Sequence, residues 1–309
     1  MRSITTTVLS LVVGAAAGWG LAGPAAADGE HYPYLFPIAA SYFSQGAAAI
    51  DFAKKQLGGS LKGKKIAYIF YDNPAGKEPL PILDELSKSE GFELRTFAVP
   101  APGVEMGAQV LDITSRYKPD FVIAHLFGRA PSVSIKEFKG KGYPLSKVVS
   151  FVWGSAEADI MAAGGMAVAE GYNTIQFAGV GKDFQVIKDI AAMYKANGKA
   201  TPKEMDSTVY YNRGILNAAL HVEAVRNAIK AKGGAKPTSE EVKNGMEHIK
   251  GFTLGGLLPP MELTPADHEG GGWVQIWSVK GGKLVRTKDW FQGYRSVILK
   301  HLAADAQKS

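Results

Sequence analysis

The sequence predicts an α/β fold: a parallel sheet with helices on both faces. Three observations carry this. From residue 43 to 177, short apolar runs of strand length alternate with longer stretches of helical periodicity. The connections between them are short, as consecutive β–α units require. The chain has 309 residues and no cysteine, so it is long enough to bury a core without disulfides.

The elements follow in order. Residues 43–57 have Ile50, Phe52, Ala53 and Leu57 on one helical side, and Gly58-Gly59 ends them. Ile66-Ala67-Tyr68-Ile69-Phe70-Tyr71 is an apolar run rich in β-branched and aromatic residues, hence a strand. Residues 72–76 read as a turn, 80–89 as a helix through Leu80, Leu83 and Leu86, and 92–99 as a strand. Residues 104–117 read as a helix, 121–124 as a buried strand, 132–139 as a helix and 148–152 as a strand. A helix over 156–163 and a strand over 171–177 complete the alternation. Helices dominate afterwards, at 184–196 and 207–231. Thr238 and Glu241 form a capping box for a further helix. Residues 255–260 are a loop. The run from Trp273 to Val279, then Gly281-Gly282 and Lys283-Leu284-Val285, reads as a β-hairpin. Trp290, Phe291 and Tyr294 anchor the tail, which ends in a short helix.

The first 27 residues read as a secretory signal. Arg2 is the positive end, residues 8–22 carry no charge, and Pro24-Ala25-Ala26-Ala27 offers a small-residue cleavage site before Asp28. The uncharged stretch is shorter than the roughly 20 residues that span a bilayer. With no cysteine there is no lipid-modified anchor, so a soluble periplasmic protein is expected. The net charge of +6 comes from lysines spread along the chain without interleaved aromatics, which argues against a nucleic-acid partner.

Little in the sequence supports catalysis. There is no G-x-S-x-G elbow and no H-E-x-x-H. Gly58 to Lys64 nearly matches a phosphate-binding loop, but Lys65 replaces the hydroxyl residue and the segment precedes a strand. The six histidines have no metal-ligand spacing. His268 sits in a polar turn and reads as a backbone cap. No enzyme activity, metal or cofactor is expected.

Several segments together resemble the class I periplasmic solute-binding proteins that serve ABC importers, of the leucine/isoleucine/valine-binding type. Pro33-Tyr34-Leu35-Phe36 with Ser44-Gln45-Gly46 looks like the first crossing between lobes. Lys64 to Asp72 looks like the first strand of the second lobe. Lys118-Pro119-Asp120-Phe121-Val122 and Ala169-Glu170-Gly171 resemble further landmarks of that lobe, and residues 255–260 with the hairpin resemble the final part. The resemblance implies two Rossmann-like lobes with parallel sheets and flanking helices, the first lobe lacking its opening βα units (about three, at roughly 30 residues each). The expected division is a signal at 1–27, a first-lobe remnant and crossing at 28–41, and the second lobe at 42–177. The C-terminal part of the first lobe follows at 178–271, and the last hairpin and tail at 272–309.

The resemblance also implies a small-molecule solute bound between the lobes, delivery to an inner-membrane ABC permease, and a monomer unless a partner covers the incomplete lobe. Amino-acid-binding relatives place a Tyr where Gly76 stands and an acid where Gly154 stands, with Glu157 as the available substitute. Trp153 and Phe127 are placed to hold an aromatic or apolar body, with lobe core as the competing reading. Arg129 is placed to pair a carboxylate, against an ordinary surface role. Tyr42 by the crossing and Tyr210 at a helix start are further candidates. Asp72 reads as a turn residue near the site, and His125 as a strand-end packing residue, with a pocket role as the competing reading. A ligand-sensing or partner-binding module without transport, or a truncated non-functional member, would share these features.

Overall fold

The computed structural model describes residues 28–306, so the signal assigned to 1–27 lies outside the described residues. Strand β1 (Lys65–Tyr71), β2 (Glu93–Val99), β3 (Phe121–His125), β4 (Val148–Ser150) and β5 (Asn173–Gln176) form parallel neighbours in the order β2-β1-β3-β4-β5. β6 (Val274–Lys280) joins β5 antiparallel, and β7 (Lys283–Phe291) pairs with β6. The hairpin is thus the edge of this same seven-stranded sheet. Gly281 and Gly282, both with positive φ, make its two-residue turn.

Alternation along the strands divides the core. Ile66, Tyr68 and Phe70 face one side and Ala67 and Ile69 the other. On the first face lie α1 (Tyr42–Gln56), α2 (Pro74–Lys77), α3 (Leu80–Glu90) and, from the far end of the chain, α10 (Arg295–Ala306). Ser41 caps α1 by accepting from the Ser44 amide at 3.2 Å. The small residues Ala47 and Ala48 let the 293 segment press onto this helix: a Cβ at Gly293 would stand 2.6 Å from their backbone. Burying Phe43, Ile50 and Phe52 stabilises this layer by roughly 1.5–3 kcal/mol each. On the other face lie α4 (Gly107–Leu111), α5 (Ala130–Gly140) and α6 (Glu157–Ala162).

Three local expectations change. The single helix expected over 104–117 starts at Gly107 and continues as a π-helical turn, Asp112–Tyr117. The strand expected over 148–152 stops at Ser150 and becomes a 3-10 turn, Val152–Gly154. Part of the 72–76 turn is helix α2, which Asn73 caps through the Gly76 amide at 2.7 Å.

The remainder is helical: α7 (Gln185–Ala196), α8 (Thr208–Ala231) and α9 (Ser239–Met246). Gly245 allows α9 to meet α8 closely, since a Cβ there would fall 2.2 Å from the Ala224 carbonyl oxygen. The Thr238–Glu241 capping box is present. Leu216, Leu220, Leu257, Leu258 and Met261 form the centre of this unit, with Phe36 and Ile38 packed against it. Among the described residues this unit has only two isolated β-bridges and no sheet of its own. No described helix is long and apolar enough to cross a membrane.

Polar contacts fasten the segment before α1 to residues 267–269 and Arg295. The buried Glu269 carboxylate accepts from the Ser41 amide at 2.5 Å and pairs with Arg295, which also holds Asp267. Burial alone would lower the Arg295 guanidinium, but the two carboxylates hold it above its usual range. His268 is fully buried here, stacked on Phe36 at 3.8 Å and hydrogen-bonded to the Leu35 carbonyl and Glu247. It is a core residue of the crossing, where the sequence suggested a polar turn.

Candidate ligand site

Ligands of open α/β sheets sit at the carboxyl ends of the parallel strands. Here those ends present aromatic rings. Tyr42, at the start of α1, lies 4.3 Å from the imidazole of His125 at the end of β3. His125 is also 4.6 Å from Phe151 and 4.9 Å from Phe127. Trp153, on the turn after β4, lies 6.2 Å from Phe127 and donates its Nε1 hydrogen to the Tyr42 hydroxyl at 2.5 Å. Trp153 is 43% exposed, so its indole faces the opening. Burial raises the Tyr42 hydroxyl to about 12 despite the Trp153 hydrogen bond, so it stays protonated.

Beneath these rings His125 Nδ1 is 3.0 Å from the Tyr68 hydroxyl, which donates to the Gly76 carbonyl at 2.7 Å. Desolvation pushes His125 down to about 3, so the ring is neutral. Its other nitrogen, Nε2, is buried without a hydrogen-bond partner.

Tyr210 of α8 is 40% exposed. Beside it Arg213 is buried, with its guanidinium 5.6 Å from the Tyr210 ring and 4.8 Å from that of Phe177. Its hydrogen bonds go to neutral acceptors: the Val152 carbonyl (2.9 Å), Ser155 Oγ (2.8 Å) and Gln176 Oε1 (2.8 Å). Nε has no partner. Burial lowers this guanidinium to about 10, which still leaves it charged at neutral pH.

The residues expected from the sequence divide into two groups. Tyr42, Phe127 and Trp153 come together on one wall, with Tyr210 beside Arg213. Arg129 is exposed just beyond Phe127, at the start of α5. The others are engaged elsewhere. Gly76 is buried, and a Cβ there would fall 1.9 Å from the Tyr71 carbonyl oxygen, so the position admits no side chain. Gly154 is similar: a Cβ would meet Ser150 Oγ at 2.4 Å, and its carbonyl accepts from Tyr172. Glu157 is spent on α8, accepting from the Thr208 amide (2.9 Å), the Thr208 hydroxyl (2.5 Å) and the Val209 amide (3.1 Å). Asp72 is exposed and ion-paired with Lys77 at 2.6 Å.

The sequence singles out neither Arg213 nor Glu78 as a site residue, and for His125 it favours packing over a pocket role. Glu78 follows α2; burial and the nearby Glu269 carboxylate raise it to about 8, opposed by the Tyr42 backbone amide. A charged residue inside a strongly helical apolar pattern, as at Arg213, was the available signal. Two surface concavities lie away from this wall. One of about 290 Å³ is bounded by Asp51, Lys54, Lys55 and Tyr294, and one of about 360 Å³ by Lys139, Tyr143 and Glu170. Neither includes a residue of the aromatic wall.

The sequence profile of the family described as periplasmic binding protein matches residues 5–283. The chain belongs to the periplasmic binding proteins. Among solved structures, one described as an ABC transporter permease from the Pseudomonas fluorescens group is 32% identical. The match has a TM-score of 0.83 and covers 92% of this chain and 71% of that one. A branched-chain amino acid ABC transporter from Thermus thermophilus with bound valine is 20% identical, at TM-score 0.71, covering 88% and 70%. A solute-binding protein from R. palustris in complex with benzoate is 22% identical, at TM-score 0.59, covering 80% and 63%. The last two likenesses are of fold. No curated protein matches the sequence. Periplasmic binding proteins bind solutes, and the aromatic wall lies at the carboxyl ends of the parallel strands.

Proposed function

We propose that this periplasmic binding protein is the solute receptor of an ABC uptake system of the branched-chain-amino-acid type. It binds a small carboxylate with an aromatic or apolar body and presents the closed form to a permease. The periplasm, reached through the leader at 1–27, and a monomeric state belong to this reading. The function is binding with lobe closure, with no covalent step. One observation carries the reading: the wall of Tyr42, Phe127 and Trp153 stands at the strand ends, and a buried guanidinium whose hydrogen-bond partners are all neutral is bonded to Val152 and Ser155, on either side of Trp153 and Gly154. A solute carboxylate adds to the Asp159 and Glu157 charges that already act on this guanidinium, and the rings cover its body.

Glu78 favours a second reading, an amino acid, because a solute ammonium would pair with that buried carboxyl. Calorimetric titration with benzoate, octanoate and leucine separates the two. An aromatic or fatty acid should bind the wild type, and Tyr42→Ala and Trp153→Ala should each weaken binding about tenfold or more. Leucine binding that is lost in Glu78→Gln would favour the second reading. A folded protein whose melting temperature no solute raises would overturn both.

A further inference from the structure

We propose that His125 Nε2 is a hydrogen-bond acceptor that selects solutes carrying a hydroxyl or N–H donor on the end that enters the aromatic cage. The inference rests on the solute-receptor reading above and specifies its ligand further.

The tautomer follows from the hydrogen bonds. The Tyr68 hydroxyl and the Gly76 carbonyl oxygen are 2.7 Å apart, and two oxygens at that distance need a hydrogen between them. Tyr68 is the member of the pair that has one. Its hydroxyl oxygen is therefore an acceptor toward His125, and Nδ1, 3.0 Å away, carries the hydrogen. A neutral imidazole has one N–H, so Nε2 holds a lone pair. That lone pair is buried and unpartnered, in a ring that is itself 0% exposed.

Native proteins rarely leave such an atom unsatisfied except where function uses it. The surroundings point the same way. Tyr42, Phe127 and Phe151 stand within 5 Å of the imidazole, centroid to centroid, and none carries a donor there beyond the Tyr42 hydroxyl. That hydroxyl accepts from Trp153 and keeps its own hydrogen, but it makes no hydrogen bond to Nε2. The Trp153–Tyr42 hydrogen bond is exposed, so a solute that displaces it frees Tyr42 to move off the imidazole. A ring or chain bearing a donor then gains a bond that its unsubstituted analogue lacks. Discrimination by such a group is steep, because the analogue leaves the buried acceptor empty.

The test is calorimetric titration of matched pairs: benzoate against its ortho, meta and para hydroxy derivatives, and phenylalanine against tyrosine. In the wild type at least one hydroxylated member should bind about tenfold tighter than its parent. His125→Asn keeps a donor near Nδ1 and removes the acceptor at Nε2, so the affinity ratio between each hydroxylated solute and its parent should fall to about one. His125→Gln, whose amide oxygen reaches the Nε2 position, should restore it. In nitrogen NMR of the free protein, the His125 Nε2 signal should be that of an unprotonated nitrogen, and should shift on adding the preferred solute. Equal affinities across every pair, or a proton found on Nε2, would overturn the inference and leave the receptor reading standing. Failure of every member to bind would remove the aromatic reading and this inference with it.

Discussion

Glu157 gives the sharpest separation between a ligand residue and a structural one. Replacing it with alanine removes the acceptor for two backbone amides and one hydroxyl at the start of the 24-residue helix α8. Loss of an N-terminal cap costs about 1 kcal/mol. Loss of a negative charge beside the helix N-terminus adds about 0.3–1 kcal/mol. The contact also joins α6 to α8 across 51 positions of sequence, so the freed donors cannot find a local substitute. The expected loss is about 2–3 kcal/mol, using about 1 kcal/mol for the remaining bond. Urea unfolding should record it as a lower midpoint at unchanged slope. Glu157→Gln keeps an acceptor and should lose about half as much. Solute affinity should stay within about threefold of wild type in both. A change in stability below about 0.5 kcal/mol, or a large loss of affinity with normal stability, would refute the capping role and return Glu157 to the ligand.

Other outcomes follow from the same geometry. Gly76→Ala should destabilise by about 3 kcal/mol or more, because its Cβ would collide with the Tyr71 carbonyl; a melting temperature within a degree of wild type would contradict this. Glu78 is raised to about 8 in the folded chain, so the folded state holds that proton above the ordinary carboxylate range near 4.5. Its contribution to stability is complete below pH 4.5 and is lost as pH rises toward 8, so the difference between wild type and Glu78→Gln in urea midpoint should fall across that window. His125 is lowered to about 3, and its contribution has the opposite sign: present above pH 6.5 and lost as pH falls toward 3. His125→Gln should flatten that acid limb. Tyr68→Phe leaves the Gly76 carbonyl and the His125 Nδ1 hydrogen unpaired, and should cost about 2–4 kcal/mol in the same assay.

The parts of the fold that were legible in the sequence are those set by local pattern. β1 and β3 are buried on both faces and read as unbroken apolar runs; the hairpin announced itself through Gly281-Gly282. The capping box at Thr238 is likewise local. What was not legible depends on distant partners. Nothing near residues 274–280 says that they pair with β5. Gly76 and Gly154 resemble deletions of a ligand side chain when only spacing is considered, whereas close approach of Tyr71 and Ser150 is what excludes a Cβ. Glu157 looked available because the residues that fill its acceptor sites, Thr208 and Val209, lie 51 and 52 positions further along the chain. The aromatic residues were noticed because large rings at strand ends can wall a pocket as well as fill a core. The lone pair on His125 was not, since it follows from a chain through Tyr68 to a backbone carbonyl.

The antiparallel seam between β5 and β6 has a consequence for how the chain acquires its shape. Asn173 and Ser278, which meet across it, are 105 residues apart. As the polypeptide emerges N-terminus first, β5 presents bare amides and carbonyls until the last tenth of the chain arrives, and all of α7, α8 and α9 is made in the interval. An open strand edge held that long is a template for the wrong neighbour. Nascent chains halted before residue 274 should therefore cling to one another or to a chaperone, and those halted after residue 291 should not.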